Sequence, residues 1–153
     1  MKIEIAKRAD GAGVLRCTRA DGSVAWQKQT TKNATHFALH DLTHYAVETE
    51  LEMTGFFALI AQGWEVEDTT GKGSRGPIPV EALEVERLVG GFDSERACST
   101  LWTPEEFNQF TQVRMLSQVD LNKVRARRAD LFRQWRDVQV GAVLELIFPV
   151  RAS

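Results

Sequence analysis

Hydrophobic and polar residues alternate at the start of the chain, which is the pattern of a β-strand with one buried face. Ile3 and Ile5 are the apolar members of this alternation. The pairs Asp10-Gly11 and Asp21-Gly22 follow, and both are typical of the tight turns that join antiparallel strands. The N-terminal segment is therefore predicted to form a three-stranded antiparallel meander.

The second turn also predicts which side chains share the core face of this sheet. If Asp21-Gly22 forms a two-residue turn, Cys17 lies opposite Trp26, because the turn length sets the register of a hairpin. The core face would then carry Leu15, Cys17, Val24 and Trp26. We expect these side chains to face the helices.

After Thr31 the spacing of apolar residues changes from two to three or four, which indicates helices. The first helix begins either near Thr35 or at Asp41, since both residue types are good N-caps. Further helices are predicted over residues 56–62, 80–89, 103–116 and 120–138. Gly90-Gly91 would end the helix over 80–89, and Asp120 would cap the last helix. Residues 142–148 are predicted to form a well-buried final strand.

Strands at both ends with helices between them predict an α+β fold. We expect a small antiparallel sheet, made of the N-terminal three-stranded meander and the C-terminal strand, packed against about five helices. The length of 153 residues fits a single domain spanning residues 1–153.

Composition narrows the class of protein without identifying an activity. Hydrophobic residues make up 43% of the chain and charged residues 26%, which are ordinary globular values. No apolar run approaches the roughly 18–20 residues of a membrane span. The charged N-terminus is unlike a signal peptide, so we expect a cytoplasmic protein with reduced thiols at Cys17 and Cys98. The net charge of −2 argues against nucleic-acid binding.

The charges are distributed unevenly along the chain. Six lysine or arginine residues lie between positions 123 and 136, in the last predicted helix. Residues 36–100 hold twelve acidic residues against four basic ones. We expect the arginines of the last helix to pair with this acidic segment, with Glu81, Glu84 and Glu86 as partners.

The chemically most informative feature is that all three histidines lie within nine residues. His36, His40 and His44 are spaced four apart, and Glu48 continues the series. Residues four apart lie on one face of a helix, so these side chains would form a stripe. Two imidazoles one turn apart can bind the same divalent metal ion, such as zinc. Three cannot, because positions i and i+8 lie about 12 Å apart along the axis.

The predicted metal site therefore starts from His40 and His44. His36 would supply a third ligand if the helix began at Asp41, because it would then lie on a separate segment. Glu48 and Asp41 are the nearest carboxylates, and each could bind the metal or orient a histidine. An open coordination position would permit hydrolysis, although the HExxH signature of metalloproteases is absent.

Two alternatives to metal binding stay open for the histidines. They could have a purely structural or surface role, or one of them could act as a general base with Tyr45 beside it. Lys72 and Arg75 lie in the glycine-rich loop over residues 69–76. From this loop, their side chains could contact an anionic ligand.

A different class of function is a non-catalytic interaction module. An apolar patch of Phe56, Phe57 and Trp64 would then mediate self-association, and the protein would be a homodimer. The histidines would be structural in that case.

Overall fold

A computed structural model describes residues 1–10, 13–28 and 34–150 of the chain. Within these residues it has a four-stranded antiparallel sheet and five α-helices, which confirms the predicted α+β class. The strands are β1 (Lys2–Lys7), β2 (Gly13–Thr18), β3 (Val24–Lys28) and β4 (Val143–Ile147). Their order is β3-β2-β1-β4, so the C-terminal strand pairs with β1. The turn predicted at Asp10-Gly11 extends outside the described residues.

The turn between β2 and β3 is longer than predicted, and this changes the face on which Trp26 lies. Cys17 pairs with Ala25 rather than with Trp26. The backbone amide of Ser23 donates to the Asp21 side chain and stabilises the longer turn. A shift of one residue moves a side chain to the opposite face of a strand, so Ala25 is buried whereas Trp26 is 64% exposed. The predicted core position of Trp26 is wrong.

The helices follow in chain order: α1 (Ala34–Glu50), α2 (Phe56–Ala61), α3 (Val80–Cys98), α4 (Pro104–Thr111) and α5 (Gln118–Asp137), with a short 3₁₀ turn at Asp68–Thr70. Because α1 begins at Ala34, the alternative start at Asp41 is wrong, and His36 lies on the same helix as the other histidines. Ser117 rather than Asp120 caps α5, and the Asp120 side chain completes a capping box with it.

α3 continues through Gly90-Gly91, where the sequence pattern predicted its end. A Cβ atom at Gly91 would lie 2.8 Å from both Phe107 Cζ and Thr111 Cγ2. Glycine therefore allows α4 to pack closely on α3 at this position. α4 ends at Thr111 rather than near Leu116, because the next residue adopts the left-handed conformation with φ 53°.

The core lies between the sheet and α1, which also packs on α3 and α5. Ile3 and Ile5 face this core, as the alternation predicted. Only one face of β4 meets the core, so Leu144 is buried whereas Ile147, on the opposite face, is 63% exposed. The predicted burial of the whole strand is wrong. In the described part of the chain, every helix is too short or too polar to cross a lipid bilayer.

Candidate metal centre

The three histidines form a stripe on α1 that faces α3. The ring centroids of His36 and His40 are 5.7 Å apart, and those of His40 and His44 are 4.9 Å apart. Burial increases along the stripe, from exposed His36 through half-buried His40 to His44, which is 2% exposed. Across from the stripe, α3 presents the carboxylates of Glu86 and Asp93, about two helical turns apart.

His44 lies between two carboxylates. Its Nδ1 is 3.3 Å from Glu48 Oε2, and its Nε2 is 3.0 Å from Glu86 Oε1. Burial alone would lower the pKa of His44, but the hydrogen bonds and negative charges of Glu48 and Glu86 together outweigh burial and raise this pKa to about 10. Burial would raise the pKa of Glu86, yet the hydrogen bond to His44 lowers it below its usual range. Without a metal ion, His44 is therefore an imidazolium held between two carboxylates at neutral pH.

His40 has a carboxylate partner of its own on α3. Its Nδ1 lies 2.9 Å from Asp93 Oδ2. Burial would raise the pKa of Asp93, but the hydrogen bond to His40 and the charge of Arg96 lower it. An ionised Asp93 favours the His40 tautomer that carries its proton on Nδ1. That tautomer leaves Nε2 as the atom that can bind a metal.

Glu48 is fully buried and binds the start of α2. Its Oε1 accepts hydrogen bonds from the backbone amides of Gly55 and Ala58, at 3.1 and 3.0 Å. Its Oε2 accepts from the backbone amide of Phe57 at 3.2 Å. These amides lack partners within α2, so a carboxylate satisfies them. The carboxylate that contacts His44 Nδ1 is therefore also bound to the start of α2.

Among the described residues, two sets of side chains bring three ligand atoms to within 4.8 Å of one another: His40, His44 and Glu86 in one set, and His36, His40 and Asp93 in the other. The second set lies beside the positively charged guanidinium group of Arg96. Arg96 Nη2 lies 3.4 Å from His36 Nδ1 and 3.9 Å from Asp93 Oδ1. That charge repels a divalent cation, so we take the first set as the candidate metal centre.

A solvent-open cleft of about 130 Å³ adjoins this centre. His40, His44 and Glu86 line it together with Phe37 and Phe56, and further walls come from β3 and the 3₁₀ turn. The volume is enough for several water molecules, since one water needs at least about 10–15 Å³. A small ligand can therefore reach a metal ion at the candidate centre.

The remaining predicted site residues lie in different places. Asp41 is buried and lines the cleft. Tyr45 packs in the core and donates its hydroxyl to a main-chain carbonyl of β4 at 2.7 Å. Lys72 is exposed, and the Arg75 guanidinium lies 5.5 Å from the ring centre of Trp64. The structure brings Asp41 to the histidines but does not bring Tyr45, Lys72 or Arg75 to them.

The apolar patch predicted for self-association is only partly at the surface. Phe57 is 1% exposed and belongs to the core, so its predicted place in a surface patch is wrong. Its ring contacts those of Tyr45 and Phe148, with centroids 6.4 and 6.0 Å apart. Phe56 is half-buried and packs against His44, with centroids 5.6 Å apart. Phe56 is therefore part of the wall of the histidine site.

Asp93 is a site residue that the sequence pattern did not predict, and Glu86 has a different partner from the one predicted. Glu86 was expected to pair with an arginine of the last helix, but it bonds to His44. Two of these arginines pair with other acidic residues of the same segment, Arg125 with Glu95 and Arg127 with Glu50. Arg133 pairs with Asp130 of its own helix. The spacing of seven residues between Glu86 and Asp93 places them on one helix face, and this was the available signal. Which helix that face meets depends on tertiary packing.

Comparison with protein-family models, with curated proteins and with solved structures finds no match to this chain.

Proposed function

We propose that this protein binds one divalent metal ion of the zinc type through His40, His44 and Glu86. The observation that carries this proposal is the convergence of three ligand atoms from α1 and α3 to within 4.8 Å. A tetrahedral ion with bonds of about 2.1 Å needs ligand atoms about 3.4 Å apart. His44 Nε2 and Glu86 Oε1 are 3.0 Å apart, and the His40 ligand atom lies within 4.8 Å of both. Side-chain movements of up to about 1.4 Å would bring the three atoms to the spacing that an ion needs.

The surroundings of the two histidines also suit metal binding. Each ring has a carboxylate at Nδ1, from Asp93 for His40 and from Glu48 for His44. Histidines that bind metals generally donate their other N–H to such an acceptor, which fixes the ring and its tautomer. A metal ion would replace the Nε2 proton of His44 and keep the attraction to Glu86.

We further propose that the metal supports hydrolysis of a small substrate. Three protein ligands leave one position of a tetrahedral ion for water, and zinc lowers the pKa of such a water to about 7. The cleft beside the histidines gives a substrate access to this position. Asp41 lines the same cleft, where a carboxylate can orient or deprotonate a metal-bound water.

Elemental analysis of protein purified without a histidine tag and equilibrated with zinc tests this proposal. We expect about one ion per chain in the wild type and in His36→Ala, because His36 lies in the set next to Arg96. The double variant His40→Ala/His44→Ala and the variant Glu86→Gln should lose the ion. The same samples should hydrolyse an activated ester, such as p-nitrophenyl acetate, only when they hold zinc.

A wild type that takes up no metal, or a double variant that keeps it, would overturn the metal proposal. The histidines would then have the structural role of an ion-paired network between α1 and α3.

Homodimer formation and the lack of nucleic-acid binding stay predictions. The mass of the protein in solution tests the first of them.

A further inference from the structure

We propose that Glu48 is the positioning residue that makes His44 a metal ligand through Nε2, and that it couples the metal centre to the start of α2. This inference rests on the proposed metal site. In this role Glu48 contacts Nδ1 of His44 and does not contact the metal ion.

The contacts of Glu48 leave its carboxylate little freedom to move. The side chain has no solvent exposure and its two oxygens accept hydrogen bonds from three backbone amides at the start of α2. The oxygen that accepts from Phe57 also lies 3.3 Å from His44 Nδ1. The start of α2 therefore holds the carboxylate in position against the imidazole.

A fixed acceptor at Nδ1 determines which nitrogen of His44 is available to a metal. Because an ionised carboxylate can only accept, the imidazole must carry a proton on Nδ1 to bond with Glu48. The lone pair of the neutral ring is then on Nε2, which faces Glu86 across the candidate centre. The reverse tautomer would place a lone pair against the carboxylate and a proton at the metal position.

Glutamine in place of Glu48 cannot reproduce this arrangement. An amide offers one accepting oxygen, and its NH₂ group donates. If the NH₂ group faced His44, the ring would have to accept at Nδ1 and carry its proton on Nε2. If it faced Gly55 and Ala58 instead, the two amides that bind Oε1 would lose their acceptor.

Close packing around Gly55 keeps the carboxylate in this position. A Cβ atom at Gly55 would lie 2.6 Å from Val85 Cγ1 and 2.8 Å from Glu48 Cδ. Any larger residue would have to displace α2, α3 or the carboxylate itself. The chain between α1 and α2 thus contributes to the geometry of the centre without contacting the ion.

Two measurements test this inference. The first is ¹H–¹⁵N NMR of the histidine side chains in the zinc-loaded wild type. We expect His44 to retain a proton on Nδ1 and to bind zinc through Nε2. Binding of zinc through Nδ1, or a proton on Nε2 of a zinc-loaded site, would overturn the inference. This measurement does not depend on the folding of any variant.

The second measurement is the zinc affinity of Glu48→Gln, determined by competition with a chelator. Loss of an orienting carboxylate should weaken binding by about 10- to 100-fold. The matched control is Glu50→Gln, which makes the same change on the same helix at a residue that pairs with Arg127. The control should keep wild-type affinity, and both variants are checked for their fold by circular dichroism.

Failure of this inference can be distinguished from failure of the proposed function. A wild type without zinc overturns the metal site and this inference with it. Zinc uptake by the wild type and unchanged affinity in a folded Glu48→Gln variant overturn the role of Glu48 alone.

Discussion

His44 is the most constrained side chain of the site, because each ring nitrogen faces a carboxylate and the ring is 2% exposed. In the metal-free protein its hydrogen bonds to Glu48 and Glu86 raise its pKa from the ordinary 6.5 to about 10. Between these two pH values the folded protein holds a proton that the unfolded chain releases. The contribution of His44 to stability is therefore complete below pH 6.5 and is lost as the pH rises towards about 10.

This linkage predicts how the stability of the metal-free protein depends on pH. In the presence of a chelator, the free energy of unfolding of the wild type should fall between pH 6.5 and about pH 10. In His44→Gln the fall should be smaller, because the titrating group is gone. Urea denaturation of both proteins across this range measures the difference. Parallel pH profiles would show that the two carboxylates do not hold a proton on His44.

At the residue scale, the sequence predicts the histidine stripe but only half of the candidate centre. His40 and His44 share a face because four residues are close to one helical turn, which is a local property of the chain. Glu86 is far away in sequence, and it reaches His44 only because α3 packs on α1. No local pattern specifies that pairing. The spacing also predicts that Glu48 lies on the same face as the histidines. Its hydrogen bonds to the start of α2 depend on the turn between α1 and α2, whose conformation the sequence pattern does not define.

At the scale of secondary-structure elements, Gly90 and Gly91 show why the predicted end of α3 is wrong. Glycine pairs usually end helices, and the sequence gives no sign that α4 packs at this point. Gly91 is needed for that contact, because its Cβ would lie 2.8 Å from Phe107 and Thr111. A Cβ at Gly90 would meet no atom within 4 Å.

The two neighbouring glycines allow a matched test of this explanation. Gly91→Ala should lower the free energy of unfolding by about 1–3 kcal/mol, because the added methyl group overpacks the contact with α4. Gly90→Ala should raise it by about 0.5–1 kcal/mol, since alanine is the better helix former at an open position. Urea denaturation of both variants measures the changes. Equal effects of the two substitutions would show that close packing of α4 on α3 does not require glycine at position 91.

At the scale of the whole molecule, periodicity predicts the class of fold, and packing determines its details. The alternation around Ile3 and Ile5 and the helical spacing after Thr31 are enough for an α+β fold. The position of Trp26 is not predictable in the same way, since one additional residue in a turn reverses its face. The candidate centre is likewise not predictable from local sequence patterns, because it forms where α1 and α3 pack together.

The most direct test of the proposed metal centre is a crystal structure of the zinc-loaded protein with anomalous diffraction data at the zinc edge. We expect one anomalous peak between α1 and α3, about 2.0–2.2 Å from a nitrogen of His40, a nitrogen of His44 and an oxygen of Glu86. A peak held by His36 and Asp93 would contradict the proposed centre. So would the absence of a peak in this region when the protein binds one zinc ion per chain in solution.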